Sequence, residues 1–148
     1  MSAELQALYQ EVILDHNRHP RNFRAIEGGR TAEGHNPMCG DRITVHVRVE
    51  GDVIRDASFQ GSGCAIVKAS ASLMTENVKG QTLAEVRALA ERFQRMIAAP
   101  PGSPVDSLGA LTALAGVRWF PIRVKCASLP WHALRAAADA RDEVVSTE

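Results

Sequence analysis

An α+β fold is predicted for this 148-residue chain: an N-terminal helix, a small antiparallel sheet of about three strands, and a helical C-terminal half packed on the sheet. Three observations carry it. Apolar residues recur every three or four positions in residues 4–16, apolar and polar residues alternate from 43 to 50, and helical signals dominate from residue 65 onward.

In the first helix Leu5, Leu8, Tyr9, Val12, Ile13 and His16 form one apolar face. Pro20 ends it, and "HPRNF" reads as a loop. "GGRTAEG", residues 28–34, supplies a weak first strand. Ile43, Val45, Val47 and Val49 then alternate with Thr44, His46, Arg48 and Glu50, the period of a half-buried strand whose outward side carries His46. "EGD" makes a glycine turn, so Val53–Phe59 returns as the partner strand of a hairpin. "GSGC", residues 61–64, opens a helix through "AIVKASASLMTENVKG" that stops at Gly80, which places Cys64 at a helix N-terminus. Thr82 and Glu85 form a capping box for a helix with Leu83, Val86, Leu89, Phe93, Met96 and Ile97 on one face. After the loop "AAPPGSPVD" comes a short apolar helix in "LGALTALAGV". Pro121 reads as an interruption and Pro130 as an early position of the last helix. No repeat or long linker divides the chain, so one domain over residues 1–148 is expected.

Seventeen basic residues balance seventeen acidic ones without clustering, which argues against nucleic acid as a partner. The start has no basic region followed by an apolar run, and no window has the length of a membrane span. A cytoplasmic protein that does not enter membranes is expected. Three cysteines, an odd number, then point to reduced thiols rather than a disulfide framework.

The positions of those thiols narrow their roles. Cys39 lies in a glycine-containing loop before a strand, Cys64 at a glycine-rich strand-to-helix junction, and Cys126 in a segment preceding the last helix. None falls on the apolar stripe of a predicted element, as a purely packed cysteine would. Asp41 follows Cys39 by two, and residues i and i+2 of an extended segment point the same way. Cys39, Asp41, Cys64 and Cys126 thus form a candidate metal site. Its donor types suit tetrahedral zinc and also an iron–sulfur cluster, and spacings of 25 and 62 residues match no compact zinc finger. Arg123 precedes Cys126 by three, which on a helical turn sets the guanidinium beside the sulfur. His16, His19, His46 and His132 stand at no ligand spacing, whereas His35 shares the Cys39 loop and Lys125 adjoins Cys126. Ser70 and Ser72 have no base near them in the sequence, so a serine hydrolase is not supported.

"LYQEVILDH", "HPRNF", "NPMCGD", "GSGCAIVKASASLM" and "RWFPIRVKCASLPWHAL" occur in this order and together resemble the SufU family, relatives of the IscU scaffold proteins. The resemblance implies an α+β fold and one zinc ion held by Cys39, Asp41, Cys64 and Cys126, with Arg123 important for activity. It implies a zinc-dependent sulfurtransferase whose partner is a pyridoxal-phosphate cysteine desulfurase of the SufS type. Cys39, exchanged off zinc for a histidine of that partner, would accept persulfide sulfur and pass it to downstream SUF scaffold proteins. Iron–sulfur scaffolding and purely allosteric activation of the desulfurase are the alternatives. Against scaffolding, Lys125 stands where IscU proteins place a histidine, "FPIRVK" is not their Leu-Pro-Pro-Val-Lys chaperone motif, and "AAPPGSPVDSLGALTALAG" looks like the extra segment of SufU.

Overall fold

A computed structural model describes residues 1–105, 107–140 and 144–146. Helix α1 spans Ala3–Arg18 and is followed by strands β1, Arg30–Asn36, β2, Asp41–Glu50, and β3, Val53–Ser62. Helices α2, Ala65–Val78, and α3, Leu83–Ala98, come next, then a 3₁₀ segment Gly109–Trp119, helix α4, Pro121–Ala138, and strand β4, Val144–Ser146. The expected α+β order is the observed one.

The strands line up as β3-β2-β1-β4, with β1, β2 and β3 antiparallel and β4 parallel to β1. The period-2 pattern explains the burial: Ile43, Val45 and Val47 are at most 2% exposed on one face, where α4 crosses β1 and β2 while α2 packs on β3. Helix α3 rests on α4, with Phe93 stacked on Trp131 at 4.6 Å between ring centroids. Ser2 caps α1, and Thr82 and Glu85 make the reciprocal capping box of α3. Among the described residues no helix is long and apolar enough to cross a membrane.

Three details differ from the sequence expectation. Pro121 starts α4 instead of interrupting it, because the first helical position requires no N–H, and Pro130 lies inside that same helix. Helix α4 continues through Pro130 because that residue is buried in the core, at the cost of the hydrogen bond its nitrogen would have given to the Cys126 carbonyl. Cys126 is therefore a helical core residue, fully buried, not part of a segment before the last helix. His46 is on the sheet face away from the helices, yet only 8% exposed, with its Nε2 3.2 Å from Gln60 Oε1. Strand β4 was not expected; its three residues are too few to show a period.

Candidate metal centre

A hairpin loop, a strand-to-helix junction and the second turn of α4 bring the predicted donors to one end of the sheet. Asn36 and Asp41 form the last cross-strand pair of the β1–β2 hairpin, so Pro37, Met38, Cys39 and Gly40 make its four-residue loop. Gly40 has φ of 68°, a conformation that disfavours other residues, and this bend, not an extended i, i+2 geometry, sets Cys39 beside Asp41. At the end of β3 the chain passes Gly63, where a Cβ would collide with Asp41 Oδ1 and come 2.8 Å from Val67 Cγ1. Only glycine lets the backbone pass that close to Asp41. Cys64 then takes the N-cap position of α2, and its N–H donates to Asp41 Oδ1 at 2.9 Å. Cys126 comes from the second turn of α4, its thiol directed at the Ile122 carbonyl at 3.7 Å.

Cys39 Sγ, an Asp41 carboxylate oxygen and Cys126 Sγ all lie within 4.8 Å of one another, and no histidine joins this group among the described residues. The Cys126 and Cys39 sulfurs are 3.4 Å apart. Cys64 stands beside the trio, its Sγ 4.0 Å from Asp41 Oδ2. Donors tetrahedrally arranged around zinc at about 2.3 Å are separated by about 3.8 Å, near the 3.4 Å between the Cys126 and Cys39 sulfurs and the 4.0 Å from Cys64 Sγ to Asp41 Oδ2. Asp41 is fully buried with Oδ1 occupied by the Cys64 N–H, which leaves Oδ2 as the oxygen turned toward the sulfurs. A buried carboxylate among three thiols is costly to leave without a counterion. The donor set of sulfur and carboxylate oxygen fits zinc.

The thiols are electrically unequal. Hydrogen bonding from Cys126 pulls the Cys64 thiol down to about 6, helped by the first-turn amides of Val67 and Ile66 against burial, whereas the same contact and burial push Cys126 strongly up. Arg123, in the first turn of α4 as its spacing from Cys126 suggested, is held further toward its charged form by hydrogen bonding with Cys126 and the nearby Cys64. Burial raises the Tyr9 phenol, opposed by the Arg123 charge, and this phenol also feels Cys64 and Cys126. A cavity of about 780 Å³ opens in front of Cys39 and Cys64, walled by Met38, Trp119, Phe120, Ile122 and Arg123.

The other candidates lie apart. His35 is on the sheet face opposite Asn36, since burial in β1 alternates through Ala32, Gly34 and Asn36, and Lys125 is exposed outside the donor group. His16, expected on an apolar face, is indeed buried; its Nδ1 is 2.7 Å from Ser72 Oγ, so Ser72 does have a base. Ser72 is fully buried and also accepts the Arg21 N–H at 2.8 Å, so the contact joins α1 to α2 rather than exposing a nucleophile. Sequence reasoning missed Asn36, Tyr9 and Gly63, whose proximity to the thiols depends on register and packing; only the glycine signal of "GSGC" hinted at the last.

Residues 8–127 match the model of the NifU-like N-terminal domain. The chain is 40% identical over 133 residues to the zinc-dependent sulfurtransferase SufU of Bacillus subtilis, covering 90% of both chains. It is 38% identical over 135 residues to the iron–sulfur cluster assembly scaffold protein IscU of Streptococcus pyogenes, 91% of this chain and 85% of that one. A solved structure of a putative iron–sulfur cluster assembly scaffold protein for the SUF system from Fervidobacterium islandicum superimposes with a TM-score of 0.81 at 34% identity, over 90% of this chain and 98% of that one. With the order of helix, antiparallel sheet and helices and the thiol cluster at the hairpin end, these likenesses establish that the chain belongs to the NifU-like N-terminal domain family, among its SufU and IscU members.

Proposed function

We propose that the chain, acting as one domain over residues 1–148, is a zinc-dependent sulfurtransferase of iron–sulfur cluster assembly that accepts sulfur on Cys39 from a pyridoxal-phosphate cysteine desulfurase. The observation that carries this is the meeting of Cys39, Asp41 and Cys126 within 4.8 Å at a cavity open to solvent. Asp41, Cys64 and Cys126 would hold the ion with Cys39. Zinc bound there would keep the thiols deprotonated at neutral pH and restrain their lone pairs.

Cys39 suits the acceptor role because it is half-exposed at the tip of a hairpin, whereas Cys126 is fully buried in a helix. Its thiolate attacks the outer sulfur of the desulfurase persulfide; a new S–S bond forms on Cys39, the old one breaks, and the desulfurase thiolate departs with no net oxidation. Arg123 faces all three sulfurs, so its charge stands beside the sulfur that would receive the transferred atom. Met38, Phe120 and Ile122, 69%, 46% and 57% exposed, surround Cys39 with apolar surface of the kind that a protein partner covers. Downstream SUF scaffold proteins would take the sulfur onward.

Scaffolding of a cluster on the same donors is the second reading, favoured by the IscU relatives. The absence of a histidine from the donor group among the described residues weighs against it. Metal analysis of protein purified without added metal separates the two. Tightly bound zinc, one ion per chain, supports transfer; oxygen-sensitive iron with inorganic sulfide would overturn it in favour of a scaffold.

A further inference from the structure

We propose that Asn36 is a positioning residue: its side-chain amide binds the Cys126 sulfur and commits that thiolate to the metal, so that Cys39 is the thiolate left to react. This rests on the zinc-site reading above. Asn36 is fully buried, yet its Oδ1 has no hydrogen-bond partner among the described residues. An amide in such a place is expensive unless its other end is employed. That other end is Nδ2, 3.8 Å from Cys126 Sγ. A metal-bound thiolate carries no proton, so only the N–H face of the amide can bond it.

An N–H···S bond withdraws charge from the sulfur and lowers its nucleophilicity, while fixing its orientation toward the ion. The sulfurs are provided for unequally in this respect. Cys126 has the Asn36 amide, whereas Cys64, at the N-cap of α2, makes no cap hydrogen bond with its side chain and has its sulfur 4.0 Å from Asp41 Oδ2. Among the described residues no N–H bonds Cys39, whose sulfur meets only the Cys126 thiol. The hairpin produces the asymmetry: Asn36 and Asp41 pair as the last rung of β1 and β2, so both point inward, while Cys39 projects from the loop between them.

The test is limited alkylation of the zinc-loaded full chain with iodoacetamide, followed at each cysteine by peptide mass spectrometry. Cys39 should react first and Cys126 last. Asn36→Asp keeps the side-chain size but removes the donor, and Asn36→Leu removes both polar atoms. In either, chelator competition should show zinc affinity reduced about 10- to 100-fold, and Cys126 should gain reactivity relative to Cys39. An unchanged reactivity ratio and zinc affinity in a folded, zinc-loaded variant would overturn the proposal. Should both variants fail to fold, the wild type decides. With NMR-active cadmium in place of zinc, the Asn36 side-chain amide protons should show a scalar coupling to the metal through the hydrogen bond, and its absence overturns the assignment. A wild-type chain that binds no zinc defeats the zinc-site reading and this inference with it, whereas one that binds zinc but in which Cys39 is not the first to react overturns this inference alone.

Discussion

Helix α2 carries a polar cluster at each end, and the two are finished differently. Toward its C-terminal half, Ser72 Oγ meets His16 Nδ1 at 2.7 Å and the Arg21 N–H at 2.8 Å, Asn22 Nδ2 donates to Thr75 Oγ1 at 3.0 Å, and Lys79 donates to Asn22 Oδ1. Each of these groups has a partner within the chain. At the N-terminal end, among the described residues, Asn36 Oδ1 has no hydrogen-bond partner, and Asp41 Oδ2 and Cys39 Sγ have only thiols, at 4.0 and 3.4 Å. A polar cluster that satisfies itself fastens α1 and the loop after it to α2. One left with unused lone pairs is built for something the chain does not itself contain.

Substitutions at the two ends should therefore fail in different ways. The largest effect is expected at Asp41. Asp41→Ala removes a donor oxygen and the acceptor of the Cys64 N–H, so zinc should be lost on dialysis and stability should fall by about 1–3 kcal/mol even without metal. If metal analysis finds zinc retained in full, Asp41 is not a ligand. Ser72→Ala at the other end should cost a similar ~1–3 kcal/mol in denaturant unfolding, because His16 and the Arg21 N–H lose their partner, but zinc content should not change. Zinc loss in that variant would erase the distinction between the two ends.

The clasp should also respond to acid with a defined sign. Burial, and next the Arg21 charge, hold His16 below its ordinary value of 6.5. The folded chain thus binds this proton less readily than the unfolded one, so the contribution is present above the unfolded value and is lost as pH falls through the folded one. His132, lowered chiefly by burial, acts in the same direction. Denaturation midpoints of metal-free protein should fall with acid below about pH 6.5, less steeply in His16→Gln; identical slopes would remove His16 from the account. The smallest effect is expected at the exposed Arg24–Asp56 pair, 2.7 Å apart. Arg24→Ala should cost about 0.2–1 kcal/mol by thermal unfolding, reduced further by salt.

How much of this was legible beforehand follows the range of the interactions. The hairpin, the capping box and the glycine junction before Cys64 are local patterns, and so is the flag on Cys39 and Asp41 as neighbours with metal-binding side chains. The thiol of Cys126 marks it as a donor, but its place in the fold is not local information, because Pro130 argues for a helix start and only tertiary packing carries α4 through it. Asn36 stood in the quoted motif without a role: asparagine is not a usual zinc ligand, and its approach to Cys126 requires the β1–β2 register and the crossing of α4 over β1. Tyr9 is one more apolar position on α1 by its spacing, and its nearness to the thiols depends on how α1 lies against the 3₁₀ segment, where a Cβ on Gly116 would meet the Tyr9 ring at 2.6 Å.

Cys39, in the hairpin loop beside the N-terminal end of α2, is the proposed sulfur acceptor. Mass spectrometry of the zinc-loaded chain after incubation with a cysteine desulfurase and L-cysteine tests it most directly. One added sulfur mapped to Cys39, and absent from Cys39→Ser, is the predicted result; stimulation of the desulfurase with no sulfur on Cys39, or undiminished by that substitution, would contradict it.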